Sequence, residues 1–188
     1  QPRSRGLGDV YKRQYLFSAE KQLDVMQDDT LRITIPMQRR LCPIILNLDL
    51  NGENADEIAR IEATLSGMAG SVDLRTGTPG SESLTARLDV RLTEVKTRAT
   101  AGNEVEMKCR VTGTAQGERQ ILTVKVTMED GQVSTITSDL TENLKDLNAD
   151  MEPVRLEGSI EAPQDGNFSG TIKDWDVVSG DDLSLIHI

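Results

Sequence analysis

The chain has almost none of the side chains on which most enzyme chemistry is built. Its 188 residues hold a single histidine, His187. Without a second imidazole or a partner nearby there is no Ser-His-Asp or Cys-His relay and no histidine ligand set for a metal. The nucleophile elbow Gly-x-Ser-x-Gly, the phosphate loop Gly-x-x-x-x-Gly-Lys-Ser/Thr and the dinucleotide fingerprint Gly-x-Gly-x-x-Gly are all missing. Carboxylates are plentiful, 31 in all, yet no pair stands in an otherwise apolar stretch that would raise one pKa for general acid work. Aromatic residues make up only 3% of the chain. Two cysteines, Cys42 and Cys109, are too few for a disulfide scaffold and lack CxxC spacing. No stretch approaches the ~18 consecutive apolar residues of a membrane span. No residue is therefore assigned a catalytic, cofactor-binding or metal-ligating role, and the chain is not read as an enzyme.

The two ends differ from the rest. Residues 1–14 are rich in Gly and Arg and without periodicity, and residues 184–188 form a short apolar tag behind the acidic turn Gly180-Asp181-Asp182. Both resemble cloning flanks and are set aside, leaving one domain over residues 15–180, with 181–188 as a largely foreign tail. Arg3, Arg5, Lys12 and Arg13 against Asp9 give the first segment a net charge of +3, so setting it aside moves the chain from −10 to −13. Such a body repels phosphate backbones and anionic lipid surfaces, which argues against nucleic-acid or membrane-surface binding and favours a soluble fragment.

What is abundant is period-two alternation, the mark of strands with one buried face. Leu31, Ile33, Ile35 and Met37 alternate with Arg32, Thr34 and Pro36. The same pattern recurs in Cys42-Ile44-Leu46-Leu48-Leu50, Leu84-Ala86-Leu88-Val90-Leu92, Val105-Met107-Cys109-Val111 and Leu122-Val124-Val126-Met128. Asp130-Gly131 then supplies the positive-φ pair of a tight hairpin, and residues 133–137 return. Val154-Leu156-Gly158-Ile160 and a last segment from Phe168 through Ile172 to about Val178 complete the set.

Two segments read as helical. Asn54 caps a helix over 55–65, with Glu57 completing a capping box, Ile58, Ile61 and Leu65 forming the buried stripe, and Gly67 as the stop. A shorter one begins at Asp139, with Glu142 three residues on and Leu140, Leu144 and Leu147 on one face. Many strands with helices only as connections predict an all-β fold, an antiparallel β-sandwich with one or two short connecting helices. Cys42 and Cys109 both fall on core-facing positions. Two states remain open for them, buried free thiols or one inter-strand disulfide, which requires Cα atoms within about 7 Å.

Four smaller features have bland readings. Asp49-Leu50-Asn51-Gly52-Glu53 resembles part of a calcium loop but lacks the closing bidentate Glu, so it reads as a turn and helix cap. Trp175 reads as sandwich packing rather than a ligand platform. Glu129-Asp130 and Asp181-Asp182 read as solvated turns. Arg39-Arg40 reads as an edge charge that discourages strand pairing, with a protease-sensitive site as the sharper alternative.

At this point an ordered set of segments resembles one family. Met37-Gln38-Arg39-Arg40-Leu41-Cys42-Pro43, the run Ile61-Glu62-Ala63-Thr64-Leu65-Ser66-Gly67-Met68-Ala69, and Asp73-Leu74-Arg75-Thr76-Gly77 resemble the second domain of fimbrillin-like proteins. Leu122-Thr123-Val124 through Asp130-Gly131 to Asp139-Leu140-Thr141-Glu142, and Ile172-Lys173-Asp174-Trp175, continue the likeness. The resemblance implies a transthyretin-like β-sandwich from Bacteroidales-type bacteria, a non-enzymatic fimbrial anchor or accessory subunit. It implies a cell-surface location at the outer membrane, with a lipid-anchored parent that carries another domain ahead of this one. Its implied partners are other fimbrial subunits or surface proteins, joined through sheet edges. Cys42 lies inside a strand before Pro43 and is not assigned the lipid. A surface carbohydrate-binding module is the alternative function. Only Tyr15, Phe17, Phe168 and Trp175 are available for its aromatic strip.

Overall fold

In the computed structural model the described residues are 15–23, 30, 32–51, 58–96, 101–150, 152–161 and 172–177. Among them, alternation becomes strand almost everywhere it runs long. The elements are β1 (Phe17–Ser18), β2 (Gln38–Arg39), β3 (Cys42–Asn51), β4 (Ile58–Ala69), β5 (Ser83–Lys96), β6 (Ala101–Val111), β7 (Ile121–Met128), β8 (Val133–Asp139), α1 (Leu147–Asp150), β9 (Val154–Glu161) and β10 (Lys173–Val177). β1 and β2 form a small ribbon, and the other eight strands follow the order β10-β9-β3-β6-β5-β4-β7-β8.

The eight strands make a sandwich because β5 is shared between two layers. Its first half pairs with β4, from Ser83 opposite Ala69 to Leu88 opposite Ala63. Its second half pairs with β6, from Asp89 opposite Lys108 to Lys96 opposite Ala101. The sheet curls at this change of partner, and side chains of both arms enter one hydrophobic cluster. Ile44, Leu46 and Leu48 of β3, Met107 of β6 and Leu156 of β9 meet Leu65 of β4, Leu122 and Val124 of β7 and Ile136 of β8 there. Each fully buried side chain of this size contributes roughly 1.5–3 kcal/mol. The opposite face of the β3–β6 layer carries Asp49, Glu106, Lys108 and Glu157, as expected of a sheet with one wet side.

The expectation of antiparallel pairing holds for every pair except one. β3 lies antiparallel to β6 but parallel to β9, in unbroken register from Ile44 opposite Val154 to Asn51 opposite Glu161. The chain leaves β8 through residues 140–153 and returns beside β3 in the same direction. Leu140, Leu144 and Leu147 are buried along this connection, as their spacing predicted. The second helix is nevertheless shorter than expected. The amide of Thr141 donates to Oδ1 of Asp139 at 3.0 Å, turns follow, and only Leu147–Asp150 is helical. Asn148 ties that helix to the core by accepting from the Thr114 amide at 2.7 Å and donating to its carbonyl at 3.2 Å.

Two expectations are corrected. The helix placed over 55–65 is strand β4 from Ile58 onward, while residues 55–57 lie outside the described residues. Ile58, Ile61 and Leu65 fit a helical stripe, but Ala63 and Leu65 are also alternate positions, and both are buried. The competition is decided by neighbours, since β4 is flanked on both sides by β5 and β7. Gly67 does not end a helix. It adopts φ 73° in a bulge where the register with β5 slips between Leu65 and Met68. A Cβ there would lie 2.3 Å from the carbonyl oxygen of Arg119.

The second correction concerns 31–37. Leu31 lies outside the described residues, residues 32–37 have no regular structure, and only Gln38–Arg39 is strand. Ile35 and Met37 stand exposed. The hairpin at Asp130-Gly131 forms, with residues 129–132 between β7 and β8. Gly131 (φ 86°) donates to the Met128 carbonyl at 3.0 Å, and the Met128 amide donates to Gln132 at 2.9 Å.

Candidate interaction surface

Neither cysteine forms a disulfide. Cys109 sits opposite Ile44, whereas Cys42 sits opposite Val111. The two thiols are thus diagonal neighbours on one face, a separation of about 7–8 Å between Cα atoms that exceeds disulfide reach. Sγ of Cys42 donates to the Glu152 carbonyl at 2.7 Å. Burial pushes both thiols up to about 12. Such thiols are poor nucleophiles and poor metal ligands.

Among the described residues, no group of three or more His, Cys, Asp or Glu stands together in a way that could hold a metal ion. Asp49 and Leu50 belong to β3, and Gly52 and Glu53 lie outside the described residues. Asp130 accepts the Gln132 amide at 2.8 Å, a turn contact. The backbone of Trp175 lies in β10. Phe168 and Asp181-Asp182 fall outside the described residues.

Arg39 lies in β2, an edge strand of the two-stranded ribbon, and Arg40 beside it is no open cleavage site. Arg39 pairs with Phe17 in the ribbon, and Arg40 is only 7% exposed. The amide of Arg40 donates to the Leu16 carbonyl at 2.7 Å. Its Nε donates to Oγ of Ser18 at 2.6 Å, and Nη2 reaches the carbonyls of Leu74 and Arg75, each at 3.5 Å. Ser18 in turn donates to the Leu74 carbonyl at 2.5 Å. The acceptor loop is preformed: Oδ1 of Asp73 takes the amides of Arg75 at 2.7 Å and Thr76 at 3.2 Å. Those two amides hold the Asp73 carboxyl below its usual range. An Asp that accepts from its own backbone two and three residues on closes a turn without any partner. Arg75 also meets Glu20 at 3.2 Å. Sequence reasoning picked out Asp73-Leu74-Arg75-Thr76-Gly77 only as a resemblance; the Asp-x-x-x-Gly spacing was the signal of a self-closing loop. Nothing in the sequence marked Arg40 as its clasp.

A shallow hollow of ≈400 Å³ opens beside this clasp, lined among others by Glu20, Lys21, Ile35, Pro36 and Arg75. Tyr15 and Phe17 lie next to it in sequence, half exposed, with ring centroids 6.2 Å apart. The guanidinium groups of Arg110 and Arg39 stand 4.7 and 5.9 Å from the Tyr15 ring.

The two outer strands of the main sheet differ in character. β10 loses register with β9 between Lys173 and Asp176, and its short sequence Lys-Asp-Trp-Asp-Val is charged. Irregularity and charge both discourage edge pairing. β8 is regular, and its one charged residue, Asp139, stands at its end. It keeps register with β7 over seven consecutive pairs, from Thr127 opposite Val133 to Ile121 opposite Asp139. Its sequence, Val-Ser-Thr-Ile-Thr-Ser-Asp, contains no Lys and no Pro. At its end Asp139 accepts the Thr141 hydroxyl at 2.5 Å and pairs with Arg119, and these contacts hold its pKa down at about 2.

The model of one protein family, the fimbrillin-A associated anchor proteins Mfa1 and Mfa2, matches residues 3–181. No curated protein sequence matches the chain. A crystal structure of a putative adhesin from Bacteroides ovatus superposes with a TM-score of 0.50 at 16% identity, over 77% of this chain and 52% of the other. A putative adhesin from Bacteroides thetaiotaomicron gives 0.42 at 13% identity, over 76% and 53%. A putative cell adhesion protein from Bacteroides fragilis gives 0.42 at 10%, over 80% and 50%. The chain spans about half the length of these structures. The first of them shares its fold.

Proposed function

The chain belongs to the family of fimbrillin-A associated anchor proteins, and from that membership we propose that it is part of a non-enzymatic fimbrial anchor or accessory subunit at the bacterial cell surface. The match of the family model over residues 3–181 carries this reading. The architecture supports it, because what the described residues offer a partner is edges, loops and a ribbon rather than a reactive cleft. The finer parts belong to the same proposal. The full-length protein is held at the outer membrane by a lipid, residues 15–180 are one domain of it, and its partners are other fimbrial subunits.

Those partners join at a sheet edge, and β8 is the edge that suits them. An extended segment laid along Val133–Asp139 would gain main-chain hydrogen bonds along a regular strand whose single charge stands at its end. β10 offers no comparable run.

Recovery of the full-length gene, expression in a Bacteroidales-type host and fractionation of the cells test the proposal. Lipid-modified protein in the outer membrane or on sheared filaments is the expected result. A cytoplasmic product without an export signal would overturn it.

A further inference from the structure

Of the eight large hydrophobic side chains that stand exposed among the described residues, seven lie on the β1–β2 ribbon, its flanking segments or the loop clasped to it; Val133 is the exception. Met37 is 58% exposed, Tyr15 53%, Leu74 50% and Phe17 48%. Scattered apolar exposure is ordinary, but a concentration of this kind on one element marks a surface that is covered in the working molecule.

A second observation points the same way. Ile33, Ile35 and Met37 alternate with Arg32, Thr34 and Pro36 in the period of a half-buried strand, yet among the described residues nothing pairs with 32–37. The sequence is patterned for a neighbour that the described residues do not supply.

The patch is also tied to the sandwich. A loose apolar tail needs no partner, but this ribbon is fixed to the sandwich by the Arg40 clasp and the Arg75–Glu20 pair. Burying a guanidinium against carbonyls and a hydroxyl spends stability on fixing this surface in place.

Its charge narrows the occupant. Lys21 and Arg75 line the hollow beside the patch together with Glu20, and Arg39 lies in β2, in a chain whose net charge is −10. Two copies meeting through the same patch would set these cations against each other. An anionic lipid surface would attract the patch but repel the body. The matched part of this chain covers only 52% of the solved structure whose fold it shares, so a further unit comparable to that matched part is expected on the same polypeptide. A tethered unit docks at an effective concentration in the millimolar range, which suits a patch of modest size.

We infer that the β1–β2 ribbon, with Leu74 and residues 32–37, is the seat of the other half of the full-length polypeptide, which meets it with an apolar surface rimmed by acidic side chains. The inference rests on the relatives' length and not on the anchoring role, so cell fractionation and the following test fail independently.

The test is maleimide labelling of Met37→Cys and Leu74→Cys, each in the 188-residue chain and in the recovered full-length protein. The unsubstituted proteins give the background from Cys42 and Cys109, and Val133→Cys is the exposed control away from the patch. The expected result is labelling at least ten-fold slower in the full-length protein at both patch positions, with Val133→Cys unchanged. Equal rates in the two proteins would overturn the inference. So would protection of the 188-residue chain that grows with its own concentration, which would assign the patch to a second copy, or protection by vesicles of anionic lipid.

Discussion

Arg40 fills the space that a side chain at residue 77 would need: a Cβ on Gly77 would stand 2.0 Å from Nη1 of Arg40. The loop of Asp73 and the strand pair β1–β2 are therefore one assembly, closed by a glycine on one side and an arginine on the other.

Breaking either half should release the ribbon while the sandwich survives. Gly77→Ala and Arg40→Met are each expected to cost about 1–3 kcal/mol locally, because the first displaces the guanidinium and the second removes its hydrogen bonds. Trypsin should cut after Arg39 much faster in both variants than in the parent, where the following residue is buried. Unchanged cleavage would show that the clasp does not hold the ribbon.

Gly67→Ala should be more damaging than its size suggests. Residue 67 has φ 73°, costly by roughly 1–2 kcal/mol for any residue with a Cβ. The obstructing atom is the backbone oxygen of Arg119, two residues ahead of β7. A loss of about 2–4 kcal/mol in urea unfolding is expected. A stabilised variant would mean that the bulge is not built as described.

An unpaired charge in the core should abolish folding. Leu88 and Val124 are 4% and 1% exposed, one at the point where β5 changes partner and the other in β7. Leu88→Asp or Val124→Asp should give protein without a cooperative melting transition. A soluble, cooperatively melting variant would contradict the strand phase.

These core positions were the legible part of the molecule. Long alternating runs such as Leu84-Ala86-Leu88 could only be strands, because shifting the phase by one residue would send every apolar side chain into water. The segment 58–65 was not legible, since its apolar residues satisfy both periods and the choice was made by β5 and β7, far away in sequence. Residues 32–37 had strand patterning with no partner among the described residues. Arg40 was illegible for another reason: its contacts are with backbone carbonyls and a serine, which leave no trace in residue spacing.

Acid should loosen the end of β8. The carboxyl of Asp139 is held at about 2 by the Thr141 hydroxyl, Arg119 and the Thr141 amide, and that of Asp73 is also lowered. A depressed carboxylate adds stability above its unfolded value, here 3.8, and loses it as pH falls toward the folded value. The melting temperature should therefore drop between about pH 4 and pH 2. Asp139→Asn should melt lower at neutral pH and show a shallower drop. An equally steep profile in the variant would remove Asp139 from the explanation.

Charging the β8 edge should separate binding from folding. Val133→Lys combined with Thr135→Lys places two cations on exposed positions, a surface change expected to alter stability by only about 0.5 kcal/mol per site. Copurification of the full-length protein with fimbrial subunits should fall at least ten-fold. Undiminished copurification with intact folding would move the contact to another edge.

The parallel pairing of β3 with β9 has a mechanical consequence. A pull that draws the chain ahead of β3 away from the chain beyond β9 acts along these two strands in opposite directions. Their eight register pairs, Ile44 with Val154 through Asn51 with Glu161, then slide against one another under a shared load. They do not open singly from one end, as a hairpin such as β7–β8 does when its two ends are drawn apart. A protein under tension at a cell surface is held longest by strands loaded in shear, and here that pair lies inside the sheet, flanked by β6 and β10.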